Sequence, residues 1–188
     1  MAKLIDNLKN VFQIQPEMKE SPGMVGYFGV GSSHSRKYTY EELAEEGYMR
    51  NSIVYKCVNE ISRGASSVPY NLRAGDVVLE SHPLLSLLDR PNPLQSNTEF
   101  LNTVFGYLLL SGNCYILKVG AEMGPPKELH LLRPDRIRIK GNGKAIPSSY
   151  EYVLGGRVQQ VFPVEESTGE SELKQIKLFN PMDDYYGL

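Results

Sequence analysis

The sequence predicts an α+β fold, with amphipathic helices packed on small antiparallel sheets and β-hairpins. Three observations carry this. Ser96-Asn97-Thr98-Glu99 is a capping box, in which the Ser hydroxyl accepts from a free helix-start N–H and the Glu reaches back. An apolar face follows at Phe100, Leu101, Val104, Phe105, Leu108 and Leu109, the spacing of a helix laid on a core, and Gly112 stands where the helix must stop. Strand-like runs then occupy 114–119, 128–132 and 136–140, so the stretch 96–140 reads as one long helix feeding a small antiparallel sheet.

From the N-terminus, residues 2–12 pattern as a short amphipathic helix with Leu4, Ile5, Leu8, Val11 and Phe12 on one side. Residues 13–37 are rich in Pro, Gly and Ser and carry too little apolar surface to order themselves. The expected organisation is therefore a flexible N-terminal arm over 1–38 and one α+β domain over 39–188. Thr39-Tyr40-Glu41-Glu42 is a second capping box, opening a short helix that ends near Gly47. Asn51-Ser52 caps the next helix, whose apolar face is Ile53, Val54, Cys57, Val58, Ile61 and Ala65. Residues 67–73 and 77–79 form a hairpin about Ala74-Gly75-Asp76. Ser81 caps a helix with Pro83 in its first turn and Leu84, Leu85, Leu87 and Leu88 inside; Pro91-Asn92-Pro93 ends it. Gly141-Asn142-Gly143-Lys144 and Gly155-Gly156 are hairpin turns, with strands at 150–154, 157–162 and 173–179. Residues 180–188 read as the approach to a further element, so the chain is expected to be a fragment or a truncated product.

Composition narrows the function. Charged residues make up 22% of the chain and the net charge is −2, which argues against a domain that grips phosphate. No run approaches the ~18 to 20 apolar residues of a membrane span, and Asp6 interrupts any signal-peptide core. Cys57 and Cys114 read as two small buried thiols in a reducing, intracellular setting. Asp183-Asp184 is a carboxylate pair expected to be solvated. Glu41, Glu42, Glu45 and Glu46 read as an exposed helix face. His34, His82 and His130 are scattered, and Gly29-Val30-Gly31 lacks the strand–loop–helix context of a phosphate loop. No catalytic constellation emerges, and neither cofactor nor metal is expected. Arg133, Arg136, Arg138 and Lys140 alternate along a strand face. They are either solvated or set to meet phosphate or an acidic neighbouring subunit.

Six passages then resemble, in order, the N-terminal half of tailed-bacteriophage portal proteins of the HK97-type family. They are Ile53 through Ser62; Val68-Pro69-Tyr70-Asn71-Leu72; His82-Pro83-Leu84-Leu85 with Pro91-Asn92-Pro93; and Leu108 through Ile116 around Gly112-Asn113. Leu129 to Ile137 around Arg133-Pro134-Asp135, and Phe179-Asn180-Pro181 with Asp183 and Tyr186-Gly187-Leu188, complete the set. The resemblance covers about 50–188 and implies a portal wing. The family's stem, clip and tunnel loop find no counterpart in it. It implies structural roles for Pro91, Asn92, Pro93, Gly112, Asn113, Arg133, Pro134 and Asp135. Arg136, Arg138 and Lys140 remain candidates for subunit or phosphate contact. The family's function would follow: a ring, typically of about twelve subunits, at the capsid's portal vertex. Double-stranded DNA passes through such a ring non-specifically during packaging and ejection. Capsid, terminase and head–tail adaptor proteins would be the partners, in the virion and, during assembly, in the host cytoplasm. The alternative is a small non-enzymatic α+β adaptor or binding module, or a non-functional prophage remnant.

Overall fold

The computed structural model describes residues 40, 43–120, 125–143 and 146–187. The expected helix at 2–12, the arm over 1–38, Gly29-Val30-Gly31 and most of the Thr39 capping box lie outside the described residues.

Leu43–Met49 winds as a π-helix rather than stopping near Gly47. Gly47 does not end it because its carbonyl accepts the Asn51 N–H at 3.2 Å, which carries the turn on to the next cap. Asn51 then starts α1 (Ser52–Ser66), its Oδ1 accepting the Ile53 and Val54 N–H groups at 3.0 and 3.2 Å. β1 (Leu72–Ala74) and β2 (Val77–Leu79) close a small hairpin about Gly75. α2 (Pro83–Asp89) is capped by His82, not Ser81. The His82 Nδ1 accepts the Leu84 N–H at 3.2 Å, so this histidine serves as a cap. α3 (Asn97–Ser111) shows the full Ser96/Glu99 capping box and ends on Gly112 at φ 67°, the left-handed stop that only glycine adopts cheaply.

Eight strands build three antiparallel sheets among the described residues. Beyond the β1-β2 hairpin these are β4-β3-β8 and β5-β6-β7. Their ranges are β3 Asn113–Val119, β4 Glu128–Leu132, β5 Ile137–Lys140, β6 Ser149–Leu154, β7 Arg157–Pro163 and β8 Leu173–Lys177. One expectation is corrected here. The strand at 136–140 does not join β3 and β4. A 3-10 turn at Pro134–Arg136 redirects the chain, and β5 pairs with β6 instead. The partner of β3 on its other side is β8, a pairing across more than fifty residues.

Side-chain alternation along β3 explains the layering. Cys114 and Ile116 face α3 and pack with Phe100, Val104, Leu129 and Leu131. Tyr115 and Leu117 face the other way and join Leu173, Ile137, Ile139, Tyr150 and Phe162 in the larger core between the two sheets. α1 packs across α3. Burial holds the Cys114 thiol well up, at about 12, so it is inert. Cys57, by contrast, is exposed. It belongs to a stripe of α1 that the sequence placed inside: Ile53 is 73% exposed and Ile61 55%. The helix instead turns Ser62 and Ser66 toward α3, because a close helix–helix crossing favours small side chains there. Leu109 likewise faces solvent.

Candidate functional site

The residues singled out from sequence fall into two groups. One ties sheet edges together; the other forms a basic surface.

Pro91 and Asn92 are buried beside the outer edge of β4. The Leu129 N–H donates to the Pro91 carbonyl at 2.7 Å, and the Asn92 amide donates to the Leu129 carbonyl at 2.9 Å. Together they satisfy an edge residue as another strand would, which blunts the edge. Asn92 Oδ1 also accepts the Leu94 N–H at 3.0 Å, while Pro93 is exposed.

Asn113 sits at the start of β3, 5% exposed. Its Oδ1 accepts from the Gln175 amide at 2.9 Å and from the Gly187 N–H at 2.8 Å, and its Nδ2 donates to the Ser111 carbonyl at 2.7 Å. Gly112 lets the chain turn and also accepts the Leu178 N–H at 2.8 Å. Gly187 approaches so closely that a Cβ there would collide with the Gly112 carbonyl. The loop containing Gly187 is shaped by Asp183, whose Oδ1 accepts the Tyr185 and Tyr186 N–H groups at 2.7 and 2.9 Å. Asp183 therefore works as a turn acceptor. The same loop reaches the second sheet, where the Tyr186 hydroxyl accepts the outward N–H of Ile139 at 2.9 Å.

Arg133 and Asp135 form a bidentate pair at 3.0 and 2.9 Å across buried Pro134. That pair fixes the turn which separates the two sheets. The basic alternation proves shorter than its sequence pattern. Arg133 and Arg136 lie off the strand, and only Arg138 and Lys140 project from the exposed face of β5. Arg136 donates to the Tyr152 hydroxyl at 3.1 Å, and Lys140 lies 3.6 Å from Glu151. Arg138 makes no ion pair or hydrogen bond with another described residue, although Glu151 is its register partner on β6.

Gln175 and Tyr186 belong to this framework; sequence reasoning names Tyr186 only within the family-like loop, with no role, and misses Gln175. The signal at Gln175 was a polar side chain within a β-patterned run. Among the described residues no group of three or more His, Cys, Asp or Glu could hold a metal ion. No helix among them is long and apolar enough to cross a membrane.

Residues 52–188 match the family model described as phage portal protein. The chain belongs to the phage portal protein family. This portal-family chain is 31% identical over 147 residues to an uncharacterised protein of Rickettsia bellii (strain RML369-C), covering 76% of the chain and 37% of that relative. An uncharacterised protein of Rickettsia felis (strain ATCC VR-1525 / URRWXCal2) shows the same identity and coverage. Among solved structures, the neck of an empty GTA particle computed with C6 symmetry matches with a TM-score of 0.73 and 34% identity. That match covers 79% of this chain and 39% of the other. The neck of the native GTA particle computed with C12 symmetry matches at 0.67 and 33%, covering 79% and 38%. The portal-family chain thus spans under two fifths of the length of these relatives. Its mixed α+β architecture is that of the portal-like neighbours.

Proposed function

We propose that the chain is the outer, wing part of a portal ring at the neck joining head and tail of a phage-like particle. The observation that carries this is the joint fit of residues 52–188 to the portal family and of the fold to the GTA particle neck at a TM-score of 0.73. Self-association into a ring is supported by the sixfold and twelvefold symmetry of those necks. A non-enzymatic role is supported by how the signature polar groups are used: Asn92, Asn113 and Asp183 each hold backbone rather than face a cleft. In this reading capsid, terminase and head–tail adaptor proteins are the ring's neighbours, in the particle and earlier in the host cytoplasm. Duplex DNA passes through without base-specific contact, in keeping with a net charge of −2. Pro91, Asn92, Pro93, Gly112, Asn113 and the Arg133-Pro134-Asp135 turn keep the wing rigid.

Immunogold labelling of purified particles tests the reading. Label concentrated at the head–tail junction is expected. Label spread over the shell, or absent from particles, overturns it. Within it, Arg138 is the side chain we assign to an acidic neighbouring subunit. Arg138→Glu should then lower incorporation into particles by about tenfold or more, and Arg138→Lys should largely retain it. Equal incorporation of the charge-reversed chain removes that assignment.

A further inference from the structure

The described residues stack in four layers. α1 lies across α3, α3 covers one face of the β4-β3-β8 sheet, and the larger core joins the other face of that sheet to β5-β6-β7. The two outermost surfaces are therefore the far side of α1 and the far side of β5-β6-β7, and both carry apolar side chains. On α1, Ile53, Cys57 and Ile61 recur every four residues and stand exposed. On the sheet, Val153 pairs with Val158 and Glu151 with Val161. Cross-strand partners share a face, and Tyr150 and Tyr152 take the core side of β6, so the three valines face outward. Val158 is 46% exposed and Val161 51%, where a sheet face left to water would be polar.

Two unlike apolar faces at opposite ends of one stack suit a head-to-tail contact between copies. One face of a copy meets the other face of the next, and repetition about an axis closes a ring; a two-fold dimer would use a single patch twice. Charge brings the same two faces together. Glu60 is exposed at the rim of the stripe, between Cys57 and Ile61, and has no ion-pair partner among the described residues. Lys56 and Arg63 sit farther from the stripe on the same flank. Arg138 lies on the outer sheet face, in register with Glu151, which is in turn in register with Val161.

On the portal reading, on which this rests, each chain has a second copy at its side. We propose that α1 of one copy seats its stripe of Ile53, Cys57 and Ile61 on the outer face of β5-β6-β7 of the next copy, with Glu60 of the first meeting Arg138 of the second. Glu60 is then the acidic group that Arg138 faces in the ring.

A photo-cross-link tests the surface. Particles carrying Ile61→p-benzoylphenylalanine are irradiated, and the joined peptides are identified by mass spectrometry. A product of twice the chain mass is expected, linking position 61 to residues 153–161 of a second copy. Attachment to another particle protein, to a segment of the same chain or to a different region of the second copy overturns the proposal, as does the lack of any cross-link. A charge swap tests the ion pair, and both groups are exposed, so thermal midpoints should stay near that of the parent chain. Glu60→Arg should lower incorporation into particles about tenfold, and combining it with Arg138→Glu should restore incorporation to within about twofold of the parent. Failure of the double variant to recover removes the pairing. The portal reading is read out separately: gold label at the head–tail junction of parent particles upholds it whichever cross-link forms, and label elsewhere overturns it.

Discussion

Asn113 spends both ends of one amide on three chain segments: the end of α3, strand β8 and the loop at 183–187. Removing a buried group that satisfies several others costs more than the bonds themselves, because the partners are left without water. Asn113→Leu should therefore lower unfolding stability by about 3 kcal/mol in urea titration. Gln175→Leu removes a donor to Asn113 and Tyr185 and a long-range acceptor of the Tyr150 hydroxyl, but leaves the Gly187 N–H and the Ser111 carbonyl bonded to Asn113, and should cost less. Glu99 shows the opposite, exposed case. Hydrogen bonds from the Ser96 backbone and then its side chain hold the Glu99 carboxyl below the usual glutamate range. Because the folded value is depressed, its contribution is present above the unfolded pKa of about 4.3 and is lost as pH falls through the folded value. Glu99→Gln should flatten the acid limb of a stability–pH curve below about pH 4.3 and leave its neutral limb parallel to that of the parent chain. An unchanged acid limb would contradict the assignment.

Elements were legible where their causes are local. The Ser96 box, the Gly112 stop and the Asn51 cap each lie within four residues of the backbone groups they satisfy, so their spacing alone specifies them. Ser96→Ala should accordingly cost about 1 kcal/mol, read from the thermal midpoint. What could not be read was which face of α1 is buried and which strand joins which sheet. Ile53, Cys57 and Ile61 make a better apolar stripe than Val58, Ser62 and Ser66, yet the second set packs on α3. The deciding factor is which side of α1 meets α3, a tertiary fact with no signature in α1 itself. Ile53→Ser and Ile61→Ser should each shift stability by no more than about 0.5 kcal/mol in urea titration. Val104→Ala, from the core beneath α3, should cost about 2 kcal/mol. If the two isoleucines cost as much as Val104, this account of α1 fails.

At the scale of the molecule, two sheets must stay in register face to face although few covalent links join them. β4 and β5 each present an unpaired edge. Pro91 and Asn92 cover one at Leu129, and Tyr186 covers the other at Ile139. The strand runs were visible in sequence, but this stitching spans 37 and 47 residues, and no local pattern encodes it. The loop at 183–187 is the member that touches both sheets, through Gln175 and Asn113 on one side and Ile139 on the other. The two sheets are held stiffly against one another only while that loop is seated. Tyr186→Phe removes the hydroxyl and keeps the ring, so packing is retained and one edge N–H loses its acceptor. The global cost should be about 1 kcal/mol. Hydrogen exchange should show something more local: the Ile139 amide loses protection, whereas the Tyr115 amide, in the central strand β3, changes only by the global amount. If Ile139 stays as protected as Tyr115, the edge is held by the β5–β6 pairing alone and the loop does not fasten the two sheets.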